Sequence, residues 1–513
     1  MKLGAIFTDN MLLQRDIPIK GFGTGDGVAK ISFRGETVTA KSVDGKWCAS
    51  LKPCRAGGPY SMEIDLDGEV ITLRDILMGD VYIAGGQSNM EMPLFKTDQG
   101  FEEAKHCAND NIRYYTVPRR YKPGSDNTSW HFVDMRTCDM PWAKCDEESA
   151  LNFTAIGHYF AKFINEATDV PVGIISCNWG GRRIEPFIPK EYFYESDVLK
   201  AQMEEFEAYV SGLNMDEYEE KYKEFEKAID RFVTEKKSGH MEFTRRVGLR
   251  ASSPHTLVSD MPYPERGPYD SVSPSTLWNS MFETIVPYGI KGLLWYQGES
   301  NGMELDYTEK YLIFLKALRE RFGCDIDAYA VELAPWMGDI PSYMQQPMDR
   351  FVTENNWAFL REQQQKATEI GERNYLATTM ELGDSYDIHP LNKRDVAYRL
   401  AIKAMKYTYD MDVKADQPLY DSVEFIGGKA YITLRHGEGL YGVTDAVNMY
   451  IAGADKVLHR AKVEIQDDGR LCVYSQDVPE PVLVRYAFDT NYFGQHLYND
   501  AGLPLAPFRT DKF

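Results

Sequence analysis

One serine, one histidine and a pair of carboxylates hold the chemistry this chain could do. Ser88 lies in VYIAGGQSNMEMPL, Val81 to Leu94, where an apolar run stops at Gly85 and Gly86 and the hydroxyl stands between the amides Gln87 and Asn89. The run reads as a strand, and a serine at the carboxyl end of a strand in an open α/β sheet occupies the place where such sheets put ligands. The two glycines permit a tight turn and a close backbone approach, which would expose the side chain. A serine hydroxyl becomes a competent nucleophile when a base takes its proton. His389, in GDSYDIHPLNKRDVAYRLA, precedes a helical pattern and has Asp384 and Asp387 beside it. Serine, imidazole and carboxylate form the acyl-transfer constellation, which is defined by geometry and so tolerates the chain order Ser, Asp, His. Taken alone, a serine near glycines is an ordinary turn residue, and no G-x-S-x-G surrounds Ser88. His106, His131, His158, His240, His255, His436, His459 and His496 have no comparable loop with flanking carboxylates.

Two further strand ends are rich in glycine, GIISCNWGGRRIEPF and GLLWYQGESN. Gly180 and Gly181 can present backbone N–H groups, and Gln297 or Asn301 a side-chain amide. Convergent donors of this kind are what a tetrahedral oxyanion requires.

The elements that must position these residues are legible in outline. Up to about residue 75, short alternating runs are broken by Gly35, Asp44-Gly45 and Asp67-Gly68, as hairpins require. This predicts a small β-sandwich-like domain over 1–75. Over 76–415, apolar strands (DVYIAGG, VGIISCNW, GLLWYQG, AYAVELAPW) alternate with helical patterns (NFTAIGHYFAKFINEAT, YTEKYLIFLKALRERFG, KRDVAYRLAIKAMKYTYD), the mark of a parallel sheet covered by helices. Within an insertion from about 195 to 275, the Glu- and Lys-rich stretch Glu195 to Gly239 reads as a helical hairpin, either a structural face or a lid, and the loop Leu249 to Ser275, with its Pro and Ser, ends it. From 416 to 513 strands return, with turns at Gly427-Gly428 and Asp468-Gly469, which predicts a second β-rich domain.

With 513 residues, 43% hydrophobic and 26% charged, the chain can bury several cores and has the composition of a globular protein. Its 57 Lys plus Arg against 78 Asp plus Glu give a net charge of -21, which disfavours nucleic acid and anionic membranes as partners. No window reaches the roughly 18 apolar residues of a membrane span, and the first residues lack a signal-peptide core. The eight cysteines show no C-x-x-C pair and no histidines at zinc spacing, so no metal site is expected. They read as reduced thiols of a cytoplasmic protein.

In this order, GQSNM, NWGG, WYQGESN and DIHP resemble the four blocks of the sialate O-acetylesterase-like carbohydrate esterases, within the SGNH (GDSL-like) hydrolase superfamily. NMLLQRDIPIKGFG near the start and VRYAFDTNYFGQHLYNDAGLPLAPFRTD at the end resemble the same family's flanking β-domains. The likeness covers most of the chain and is weakest over 195–275. It implies a flavodoxin-like three-layer α/β hydrolase domain with a parallel sheet, flanked by N- and C-terminal β-sandwich-type domains. It also implies a serine esterase that removes O-acetyl groups from a mono- or oligosaccharide without a cofactor. Carried over by position, Ser88 is the nucleophile and His389 the general base, and the N–H groups of Ser88 and Gly181 with the Gln297 side chain form the oxyanion hole. Asn301, Glu299, Trp179 and Arg182 are the expected substrate-binding residues, and Asn301 is also the alternative amide of the third block.

The superfamily commonly sets its acid three residues before the histidine, where this chain has Tyr386. Asp387 is preferred as the orienting acid, because alternate residues of an extended segment face one side. Asp384 and a Ser–His dyad are the alternatives. Trp179, Trp295, Tyr296 and Tyr386 are either a sugar platform or core. Arg182 and Arg183 could reach a sialic acid carboxylate or pair with acidic neighbours. A non-catalytic carbohydrate-binding protein and an esterase of non-sugar acyl groups are the competing readings. The particular sugar and the oligomeric state are not written in the sequence.

Overall fold

The computed structural model describes residues 1–120, 122, 141–228, 265–302, 304–336, 357–492 and 494–511. Its contacts divide the chain into two compact units, Met1–Ser300 with Glu309–Ala328, and Asn301–Thr308 with Tyr329–Phe513.

The first unit opens with the predicted hairpins. Val28–Phe33 pairs with Glu36–Lys41 through Arg34-Gly35, and Gly57–Leu66 pairs with the strand Glu69–Gly86 through Asp67-Gly68. All four turn residues have positive φ, from +50° to +93°. Two-residue hairpin turns of this hand match the twist of the strands they join. Ile19–Thr24, Lys46–Leu51 and Lys2–Leu3 form a separate three-stranded sheet.

The strand Glu69–Gly86 is 18 residues long and changes partners along its length. Its first part lies antiparallel to Gly57–Leu66. Its last part is parallel to Val172–Asn178 on one side and to Gly292–Tyr296 on the other. Asn109–Thr116 continues the parallel sheet beyond Val172–Asn178, and Ala143–Cys145 closes that edge antiparallel. The strand thus runs through the 75/76 position at which the sequence changes texture. Val172–Asn178 and Gly292–Tyr296 are buried at every position. Continuous apolar runs of this kind are what a sheet covered on both faces needs.

Helix Ala155–Thr168, capped by the Thr154 hydroxyl, packs on Val172–Asn178. From helix Tyr307–Phe322, Phe314 lays its ring 4.6 Å from that of Trp295, between ring centres. Of the predicted insertion, helix Asp197–Ser211 begins at a Ser196 cap and 215–228 is helical. Residues 229–264 lie outside the described residues, as do Cys138, His131, His240 and His255. Cys48, Cys54, Cys107, Cys145, Cys177, Cys324 and Cys472 are unbridged thiols.

In the second unit the strand Asp327–Val331, which enters it at Tyr329, neighbours Asn374–Ala377. Helices Trp357–Ile370 and Lys393–Tyr407 pack on Asn374–Ala377. Two four-stranded antiparallel sheets follow. One includes Leu419–Ile426 and Lys429–Arg435, the other Met449–Ala452 and Leu483–Tyr486. They share one core, in which Ile432 and Val473 from the first sheet meet Met449, Ile451 and Val484 from the second. Among the described residues no helix is long and apolar enough to cross a membrane.

Candidate active site

In the first unit three of the predicted blocks come together around Ser88. The strand ends at Gly86, whose φ of +131° is open to glycine, and a Cβ there would lie 2.1 Å from the Tyr296 carbonyl oxygen. Any other residue would push the turn off the neighbouring strand. Two backbone bonds stitch the turn to both neighbours: Gln87 N–H donates to Tyr296 O at 2.9 Å, and Trp179 N–H donates to Gly86 O at 2.9 Å. Ser88, half-buried, then starts the short helix Ser88–Glu91.

The amides flanking Ser88 hold the third block. Gln87 Oε1 accepts from Gln297 Nε2 at 3.3 Å, from Gly298 N–H at 3.5 Å and from Ser300 N–H at 3.3 Å. Asn89 Nδ2 donates to Glu299 Oε1 at 2.5 Å. The buried Gln297 amide also donates to the Arg182 carbonyl at 3.2 Å, so one side chain bridges the first, second and third blocks.

Glu91 holds the second block. Its Oε2 accepts from Gly180 N–H at 2.8 Å, and its Oε1 from Arg119 Nη1 at 2.9 Å. Arg119 continues to the Asn178 carbonyl at 2.9 Å and to Asn178 Oδ1 at 3.0 Å. A nearly buried carboxylate is tolerated because a guanidinium and a backbone donor satisfy it. Gly181 follows, exposed, with φ of +67°. Sequence reasoning missed Glu91 and Arg119. The available signal was a lone acid inside the otherwise apolar MEMPL.

Two expected substrate contacts are placed differently. Trp179 has 0% exposure and offers no ring face to a sugar. The Arg182 guanidinium, 5.5 Å from the Trp179 ring centre, donates to Ser271 Oγ at 2.9 Å and to the Gly180 and Gly181 carbonyls at 3.3 Å each. Arg183 pairs with Glu185 at 2.9 Å. Trp295 and Tyr296 are core as well.

In the second unit His389 is nearly buried in the loop before helix Lys393–Tyr407. Asp387 Oδ1 accepts the His389 backbone N–H at 2.8 Å and lies 3.6 Å from His389 Nδ1, within ion-pair range of a protonated ring. The imidazole beside it holds the Asp387 carboxyl below the usual carboxylate range. Asp384 Oδ1 instead accepts the Tyr386 N–H at 2.8 Å. Asn301 donates to Glu304 Oε2 at 2.8 Å. Tyr386 is 80% exposed.

Comparison with known proteins follows this geometry. A family model described as carbohydrate esterase, sialic acid-specific acetylesterase, matches residues 78–238. The rat sialate O-acetylesterase is 24% identical over 479 residues, 85% of this chain and 79% of that protein. The human one is 24% identical over 477 residues, covering 85% and 76%. A solved carbohydrate acetylesterase from Xanthomonas citri superposes with a TM-score of 0.75 at 27% identity and covers 100% of both chains. Block order, sheet and likeness agree: over most of its length the chain is similar to the sialate O-acetylesterases and to this carbohydrate acetylesterase.

Proposed function

We propose that this carbohydrate O-acetylesterase works through an acetyl-enzyme on Ser88, in a flavodoxin-like three-layer domain with β-sandwich-type flanks. His389 takes the Ser88 proton as Oγ attacks the acetyl carbonyl, and Asp387 orients the imidazole and balances its charge. The N–H groups of Ser88 and Gly181, with the Gln297 amide, receive the developing oxyanion. His389 returns the proton to the departing sugar oxygen. A water then gives its proton to His389 and its oxygen to the acetyl carbon, and His389 passes that proton to Ser88 Oγ as the ester bond breaks, which releases acetate and restores Ser88. Gln297 Nε2 already serves Gln87 and Arg182, so its share requires trading one long bond for the oxyanion.

The observation that carries this reading is the tying of both glycine-rich loops to the Ser88 turn, one through Glu91 and Gly180, the other through Gln87 and the 297–300 segment. Donors and nucleophile are thereby fixed to one scaffold, which is the preorganisation that oxyanion catalysis needs. Unbridged cysteines fit the cytoplasmic location we assign.

Acetate release from O-acetylated glycans, beside p-nitrophenyl acetate hydrolysis, tests the proposal. Ser88→Ala is expected to lower kcat by about 10⁴-fold or more with the thermal melt preserved. A folded Ser88→Ala enzyme that keeps most of its turnover removes Ser88 from the mechanism.

A further inference from the structure

A single exposed aromatic ring is ordinary on a protein surface. Tyr386 differs in three ways. At 80% it is the most exposed large apolar or aromatic side chain among the described residues. It stands three positions before His389, while Trp179, Trp295 and Tyr296, the other aromatics beside the motifs, are core. Its loop is also fixed from several sides. Asp384 Oδ1 accepts its N–H, Asp387 Oδ1 accepts that of His389, and Ser385 Oγ accepts from Asn491 Nδ2 at 2.9 Å. Gly383 sits so close to Pro335 that a Cβ would lie 2.6 Å from its carbonyl oxygen. The ring is therefore held out by an ordered turn.

The charges around this ring select among sugars. Asp384 and Asp387 flank it in sequence, and their carboxylates can accept hydroxyl hydrogen bonds while repelling a carboxylated sugar. The net charge of -21 adds a long-range bias of the same sign. In the first unit, the arginines that a sialic acid carboxylate would need already serve Ser271, the Gly180 and Gly181 carbonyls, and Glu185.

Building on the esterase reading above, we infer that the acetylated substrate is a neutral sugar whose apolar ring face stacks on Tyr386. Tyr386 is thus a positioning and specificity-determining residue.

Three esters test this: an O-acetylated methyl glucoside, an O-acetylated methyl glycoside of sialic acid, and p-nitrophenyl acetate as the sugarless reference. The parent enzyme is expected to prefer the glucoside ester over the sialic acid ester by about fivefold or more in kcat/KM, with the gap narrowing in high salt. Tyr386→Ala is expected to raise KM for the glucoside ester about three- to tenfold, to change its kcat little, and to lower the ratio of its kcat/KM to that of p-nitrophenyl acetate. Tyr386→Phe, which keeps the ring, should retain the parent ratio. Equal losses on both esters, an unchanged KM, or preference for the sialic acid ester would overturn the inference. A parent enzyme that cleaves p-nitrophenyl acetate but neither sugar ester would instead refute the underlying carbohydrate-ester reading.

Discussion

At the scale of residues, the two aspartates near His389 are separated by what they touch. Asp387 reaches both the backbone and, at ion-pair distance, the ring of His389, whereas Asp384 is spent on the Tyr386 N–H. Asp387→Asn is therefore expected to lose more kcat than Asp384→Asn. The loss should be about 10- to 10²-fold, well short of the roughly 10⁴-fold of a buried orienting aspartate, because the Asp387 side chain is 48% exposed and 3.6 Å away. Steady-state kinetics of both variants decide it, and a larger loss for Asp384→Asn would reverse the assignment. Residue types alone narrowed the acid to these two positions. Alternation along an extended segment already preferred Asp387, while the backbone hydrogen bonds that set the two apart are encoded by no spacing rule.

At the scale of elements, the strand–turn–helix around Ser88 was legible because glycine, chain reversal and an apolar run all leave local marks. The hairpin turns Asp67-Gly68 and Arg34-Gly35, and the helices Ala155–Thr168 and Lys393–Tyr407, left equally local ones. What lay hidden was the wiring between elements. Glu91 and Arg119 are 28 positions apart, and nothing near either residue announces the other. Likewise, Trp179 stands between Asn178 and Gly180 and Tyr386 between Ser385 and Asp387, so small or polar neighbours flank both and the two could not be told apart before their burial was known. Since Glu91 fixes Gly180, Glu91→Gln is expected to lower kcat about tenfold while leaving KM within about twofold, less than deletion of an oxyanion donor would cost. Kinetics beside a thermal melt checks this, and a lowered Tm with unchanged kcat would make Glu91 purely structural.

At the scale of the whole molecule, stability carries a pH signature at a buried relay away from Ser88. Tyr114 Oη lies 2.7 Å from His158 Nδ1, His158 Nε2 lies 3.3 Å from Glu103 Oε1, and Lys162 donates to the same oxygen at 2.6 Å. The His158 ring, with Lys162, holds the Glu103 carboxyl down to about 2. In the unfolded chain a glutamate titrates near ~4.3. Between these values the folded protein binds fewer protons than the unfolded one, so this contribution is present above about pH 5 and is lost as the pH falls towards about 2. The stability gap between the parent and Glu103→Gln, read from urea midpoints, should shrink over that window. A gap that stays constant with pH would show that Glu103 acts by packing alone.

The strand Glu69–Gly86 carries one more implication. A single unbroken backbone is the rim of the N-terminal hairpin layer at one end and the stem of the serine turn at the other. The two parts meet at a bulge, where Asp75 takes a φ of +56° and the register with Gly57–Leu66 shifts, so a displacement of the first hairpins reaches the Ser88 turn through one kink in a continuously paired strand. The hairpin layer and the Ser88 turn thus share one backbone, and on the mechanism proposed above, trimming the hairpins is expected to lower turnover along with the melting temperature.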